Sequence, residues 1–266
     1  MGGKIYKSGR WGGVLALRDG PQVAYFWRSG YIILLWNVST LAHKKLVIAI
    51  DGPAASGKTT TATLVARRLN YLHVDTGAMY RAVALKALRR RLTMDDAEKI
   101  GRLVQRTRIE LRPLKDGLRV LLDGEDVTEA IRDPEVTRAA SAVSSLREVR
   151  EAMVREQRRM GKDGGIVLEG RDIGTVVFPH ADLKFFMVAG IELRARRRRD
   201  ELRAKGVDVD VETIRQELQD RDRTDSTREQ SPLRKAPGAI EVDTSSMTIT
   251  EQVDFVVRRA EEMMGR

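Results

Sequence analysis

The chain contains no cysteine. That excludes disulfides, thiolate metal sites and cysteine nucleophiles, and it is compatible with the reducing cytoplasm. Long hydrophobic runs are missing too. The longest is Tyr31–Trp36, far short of the roughly 20 residues that a membrane-spanning helix needs. No small-residue cleavage site follows it, so a secretory signal is not expected. Only three histidines occur, His43, His73 and His180. They are scattered, form no Ser/His/Asp or metal-ligating cluster, and read as bystanders. Internal repeats and low-complexity tracts are absent as well.

Positive charge is not scarce. The formal net charge is +10, but residues 1–45 carry +6 of it, leaving +4 for the other 221 residues. Small anionic ligands explain that mild excess as well as a polyelectrolyte does. At 266 residues, 42% hydrophobic and 32% charged, the chain suits one generous globular domain with small inserted subdomains.

Residues 1–44 differ from the rest. They hold all three tryptophans (Trp11, Trp27, Trp36), many glycines and no sustained periodicity. They are expected to be a poorly ordered N-terminal extension, or upstream sequence translated from a misassigned start. A membrane-surface or partner-binding tail is the other reading. From Leu46 the pattern changes. Apolar runs at Leu46–Ile50, Leu72–Val74, Ile166–Leu168, Leu183–Val188 and Ile240–Val242 predict short buried strands. Helices are predicted over Thr59–Leu69, Ala78–Arg90, Ile191–Ala204 and Val211–Gln219, with Thr248-x-x-Glu251 as a capping box opening a terminal helix. Strands alternating with helices predict an α/β fold, a parallel sheet flanked by helices. The alternation in Ile109–Asp126 predicts a small antiparallel hairpin inserted into that domain.

Gly52-Pro53-Ala54-Ala55-Ser56-Gly57-Lys58-Thr59 satisfies G-x-x-x-x-G-K-[ST] between a predicted strand and a predicted helix, as a P-loop requires. Glycines let backbone N–H groups curl around an anion, and the helix N-terminus adds partial positive charge. Lys58 is expected to reach the β- and γ-phosphates, and a hydroxyl to face Mg²⁺. With Thr59, Thr60 and Thr61 in a row, either Thr59 or Thr60 could serve the metal. A P-loop alone leaves GTPases, ATPases, helicases and kinases open.

Further on come Asp75-Thr76-Gly77-Ala78-Met79-Tyr80-Arg81, Glu169-Gly170-Arg171-Asp172-Ile173-Gly174-Thr175-Val176-Val177-Phe178-Pro179, and a charge-alternating stretch from Asp220 to Arg228. On these motifs the chain, from about Leu46 to its end, resembles the bacterial cytidylate kinases. The resemblance implies a P-loop NTPase fold over 46–266, with an NMP-binding insert at about 76–150 and a short lid at about 200–230. It implies transfer of the γ-phosphoryl group of ATP, with Mg²⁺, to CMP or dCMP, by a cytoplasmic monomer with no nucleic-acid or membrane partner. Thr76 and Arg81 resemble residues that meet the acceptor phosphate. Ser141, Arg150 and Asp172 resemble cytosine contacts. Arg171, Arg221 and Arg228 resemble phosphate-clamping, catalytic arginines acting with Lys58, and Asp225 a carboxylate that holds the sugar hydroxyl. Glu169 stands where Asp also occurs in the family, near the metal.

Elementary chemistry supports the cytosine assignment. A carboxylate such as Asp172 accepts from the N4 amino group, and a guanidinium such as Arg150 donates to N3 and O2. Blander readings stand beside these. Most of the five arginines in Arg194–Arg199 read as the solvated face of a surface helix, and Arg171–Asp172 alone could be a structural ion pair. The rival from another class is an RNA-associated P-loop ATPase using the basic helix and tail. Residues 46–266 carry no aromatic-interleaved basic motif of an RNA module.

Overall fold

The computed structural model describes residues 5–8, 11–15, 23–28, 31–36, 45–114, 117–204 and 206–265, the first four stretches by backbone alone. The chain divides into two units, 1–44 and 45–266. In the first, β1 (Ile5–Ser8), β2 (Trp11–Leu15), β3 (Val23–Arg28) and β4 (Tyr31–Trp36) pair antiparallel in chain order. The sequence predicts no regular element there. Its Val, Ile, Tyr, Phe and Trp suit a pleated strand, but their order lacks the apolar–polar alternation by which a strand is recognised. The remainder of the expected poorly ordered extension lies outside the described residues.

In the second unit β5 (Val47–Asp51) leads into α1 (Lys58–Leu69), and β6 (Leu72–Asp75) into α2 (Thr76–Arg89). Next come α3 (Ala97–Gln105), then β7 (Ile109–Leu114), β8 (Gly117–Leu122) and β9 (Glu125–Asp126) as a small antiparallel sheet. After α4 (Pro134–Val143) and α5 (Arg147–Met160) the chain returns to β10 (Ile166–Gly170) and β11 (Leu183–Val188). Helices α6 (Ile191–Arg203) and α7 (Val211–Thr227), strand β12 (Ile240–Asp243) and α8 (Ile249–Met264) complete it.

Five strands form one parallel sheet in the order β12-β11-β5-β10-β6. Both faces are covered, which is why these strands read as continuous apolar runs. Strand β5 shows the division of labour. Ile48 and Ile50 pack with Val65 and Ala66 of α1 and Val253, Val256 and Val257 of α8. Ala49, on the opposite face, joins Met79 and Val83 of α2 and Leu168 of β10. The Thr248–Glu251 capping box opens α8 as expected. By contrast, α3, α4 and α5 answer to no predicted helix, and α7 runs eight residues beyond its predicted end at Gln219.

The register fixes where chemistry can occur. Gly170 pairs with Asp51 across β10 and β5, and Glu169 with Asp75 across β10 and β6. Three neighbouring strands thus end level, and the loops after them emerge side by side at the carboxyl edge of the sheet. That edge is where ligands bind in open α/β sheets.

Candidate active site

The loop from Gly52 to Gly57 connects β5 to α1. Gly52 has φ +148°, and a Cβ there would lie 2.1 Å from the Met187 carbonyl oxygen of β11. Only glycine allows this close approach. Gly57 (φ +90°) then turns the chain into α1, whose N-terminus has no side-chain cap. Its first N–H groups are thus left for an anion. Gly52→Ala therefore forces both strain and collision. The strained φ alone costs about 1–3 kcal/mol, a fall in Tm of roughly 2–12 °C. A variant as stable as the parent would contradict the geometry.

Inside the loop, the Lys58 ammonium donates to the Pro53 carbonyl and to Ser56 Oγ at 3.3 Å. Burial, reinforced by the charges of Arg171 and Arg221, pulls its pKa down to about 7. Just before the loop, Asp51 accepts from the backbone N–H groups of Ile173 (2.8 Å) and Gly174 (2.7 Å). The phosphate loop and the Arg171–Asp172 turn are thereby tied together. Burial raises the Asp51 carboxyl to about 6 against those two bonds.

Of the three consecutive threonines, Thr59 donates through Oγ1 to Glu169 Oε2 at 2.8 Å, while Thr61 is buried against Gln252. Glu169 is itself buried, and its other oxygen meets His73 Nε2 at 3.1 Å. His73, read as a bystander from sequence, thus contacts a buried side chain at this edge. A strand position two residues before Asp75 carries it to the same sheet face and edge.

Beyond Lys58 lies a narrow cleft of about 60 Å³. Thr76, Arg81, Ser141, Arg150 and Asp172 line it, and so do Arg171, Arg221, Asp225 and Arg228. Every side chain that the family resemblance assigns to the acceptor side is in that one cleft. Thr76, at the start of α2, donates to the Glu169 carbonyl at 2.7 Å. Arg81, one turn on, is held by Asp75 at 2.9 Å, and Asp75 also caps the helix through the Ala78 N–H. Arg150 of α5 is buried, bonds Asp172 and the Ser144 carbonyl, and lies 5.6 Å from the Tyr80 ring centroid. Arg171 Nε donates to Asp225 Oδ2 at 2.7 Å. Arg228 stands between the two acids, 3.7 Å from Asp225 and 3.9 Å from Asp172.

Positive charge outweighs negative here. Burial, then the nearby Arg171, lowers the Arg221 guanidinium to about 10. Buried nitrogens of Arg81, Arg150, Arg221 and Arg228 have no hydrogen-bond partner. Burial alone would raise the Asp225 carboxyl, but Arg171, Arg221 and Arg228 together hold it below the ordinary range. Cations this crowded, with donors unused, suit phosphate groups.

Two expectations about α6 also change. Arg194 is buried, donating to Ala54 O (3.2 Å) of the phosphate loop and to Asp222 Oδ2 (2.6 Å) of α7. Arg197 donates to Thr244 O at 2.8 Å. Neither belongs to a solvated face, whereas Arg196 is exposed as expected. Among residues given no role from sequence, Tyr80 and Ser144 also line the cleft. Tyr80 was within reach, since it lies four residues after Thr76 and so on the same helical face. Burial pushes its phenol up to about 12.

The sequence model of the cytidylate kinase family matches residues 48–262. A cytidylate kinase of Bacillus subtilis (strain 168) is 49% identical over 220 residues, 83% of this chain and 98% of the relative. One of Geobacillus sp. (strain WCH70) is 49% identical over 218 residues, 82% and 97% respectively. One of Lactococcus lactis subsp. lactis (strain IL1403) is 48% identical over 221 residues, 83% and 100%. Likeness of that extent, running through both the phosphate loop and the arginine-lined cleft, settles the lineage: the chain belongs to the cytidylate kinase family.

Proposed function

We infer that the chain transfers the γ-phosphoryl group of ATP to CMP or dCMP, giving ADP and CDP or dCDP. The observation that carries this reading is the adjacency of two sites on neighbouring strands. The phosphate loop follows β5, and the arginine–aspartate turn follows β10, with Asp51 and Gly170 paired where the strands end.

ATP is assigned to Gly52–Thr60, with its terminal phosphates at Lys58. The acceptor is assigned to the cleft, with its phosphate toward Thr76 and Arg81 and its base toward Ser141, Arg150 and Asp172. Asp225 takes the sugar hydroxyl. The Thr59 hydroxyl and the Glu169 carboxylate offer hard oxygens at the loop mouth, a donor set that fits Mg²⁺, which takes few protein ligands alongside phosphates. When bound there, Mg²⁺ would supply charge neutralisation on the transferring phosphates. Arg171, Arg221 and Arg228 spread positive charge around the equatorial oxygens of the transition state and displace water as α7 closes. No general base is required, because a phosphomonoester is already largely dianionic at neutral pH.

Base choice follows from pairing. Uracil would present O4 to Asp172 and N3–H to Arg150, leaving buried groups mismatched at about 1–3 kcal/mol each. A coupled assay with CMP, dCMP, UMP and AMP should give kcat/KM for UMP lower than for CMP by roughly 10²-fold. Equal turnover of all four would contradict the cytosine assignment.

The arginines that motivated an RNA-associated ATPase are engaged within the fold at Arg194 and Arg197, and no observation favours that reading. We assign the protein to the cytoplasm as a monomer. The absence of cysteine supports that setting, and no helix among the described residues is long and apolar enough to cross a membrane.

A further inference from the structure

We propose that His73 is a positioning residue, holding the Glu169 carboxylate in the orientation that the metal of a bound nucleotide requires. This rests on the phosphotransfer reading given above. The geometry is a closed ring. Thr59 Oγ1 donates to Glu169 Oε2 at 2.8 Å, and Glu169 Oε1 lies 3.1 Å from His73 Nε2. His73 Nδ1 lies 3.3 Å from Thr63 Oγ1, and Thr63 Oγ1 donates back to the Thr59 carbonyl at 2.7 Å. Three elements are joined by it: the first two turns of α1, the end of β10 and the middle of β6.

The ring matters because glutamate is long. Its carboxylate has one more free torsion than an aspartate in the same place, and each unfixed torsion spreads the oxygens over several positions. In the position observed, one of its oxygens meets Thr59. His73 removes the freedom from behind, occupying the oxygen that Thr59 does not use. The side chains of His73 and Glu169 are only 11% and 5% exposed, so water does not readily replace the imidazole. Partners of this kind, one bond removed from a metal, orient the ligand that touches it.

The test measures Mn²⁺ binding to the complex of the full chain with ADP, the protein in excess so that little free nucleotide chelates the ion, by the loss of the free-ion paramagnetic resonance signal. Affinity for metal-free ADP is measured separately by calorimetry. His73→Leu should weaken Mn²⁺ binding at least about 10-fold while metal-free ADP affinity stays within about two-fold. His73→Gln, whose amide can still donate to Glu169, should keep Mn²⁺ affinity within about three-fold of the parent. Unchanged Mn²⁺ affinity in His73→Leu overturns the proposal. So does an equal loss of metal-free ADP, which marks a general structural defect. Should His73→Leu not fold, His73→Asn replaces it, because the shorter amide cannot reach Glu169. Equal affinities for the Asn and Gln variants then overturn the proposal. Failure of the parent itself to bind Mn²⁺ with ADP would instead remove the phosphotransfer reading, and the proposal with it.

Discussion

Arg171→Ala should lower kcat for CMP phosphorylation by roughly 10²–10³-fold, the usual effect of deleting one donor aimed at developing charge. Arg171 follows the last residue of β10 and lines the cleft, near enough to Lys58 for its charge to act there. Its positive charge is felt at Lys58 on one side and at Arg221 on the other. Its one strong bond within the protein is to Asp225. After truncation, Arg221 and Arg228 still neutralise that acid, so the fold should survive. Affinity for CMP should change much less than kcat, because the interaction strengthens only as the phosphoryl group passes between sites. Steady-state kinetics, with circular dichroism as the control for folding, decide the point. An intact variant with parental turnover would remove Arg171 from the reaction.

Asp172→Asn should do two things together. It should reduce kcat/KM for CMP by roughly 10²-fold and shrink the preference for CMP over UMP by about 10-fold. An asparagine can turn its amino group toward O4 of uracil, which the carboxylate cannot do. The substitution also leaves Arg150, 4% exposed, without its counter-ion, and Arg228 without one of its two acids. Breaking a buried pair in this way costs about 3–5 kcal/mol. A fall in Tm of roughly 6–20 °C follows for a domain of this size. The monophosphate panel and a thermal scan measure the two effects. Undiminished selectivity in a folded variant would place the base elsewhere.

The parts of this site that were legible in the sequence are those whose chemistry is local. A phosphate loop needs eight consecutive residues, so Gly52–Thr59 can be read outright. The core strands were readable because burial on both faces leaves no polar positions to interrupt them. Helix α5 went unpredicted: Val149, Ala152 and Met153 are buried at helical spacing, but its basic composition masks the stripe. The last turns of α7 were harder. Their alternating charges look like a loop, and only the cleft they face explains Arg221, Asp225 and Arg228 at intervals of four and three. What could not be read was anything set by sheet register. His73 and Glu169 are 96 residues apart, and Asp51 lies 122 from Ile173. Their bonds exist because β10 lies between β5 and β6 at one particular alignment, and no pattern in the sequence specifies that alignment.

One ligand probes most directly whether a single opening serves both nucleotides. Adenosine and cytidine joined through five phosphates should bind one per chain, compete with ATP and with CMP alike, and hold far more tightly than either. Competition with only one of them, or two molecules bound per chain, would mean that donor and acceptor never face each other here.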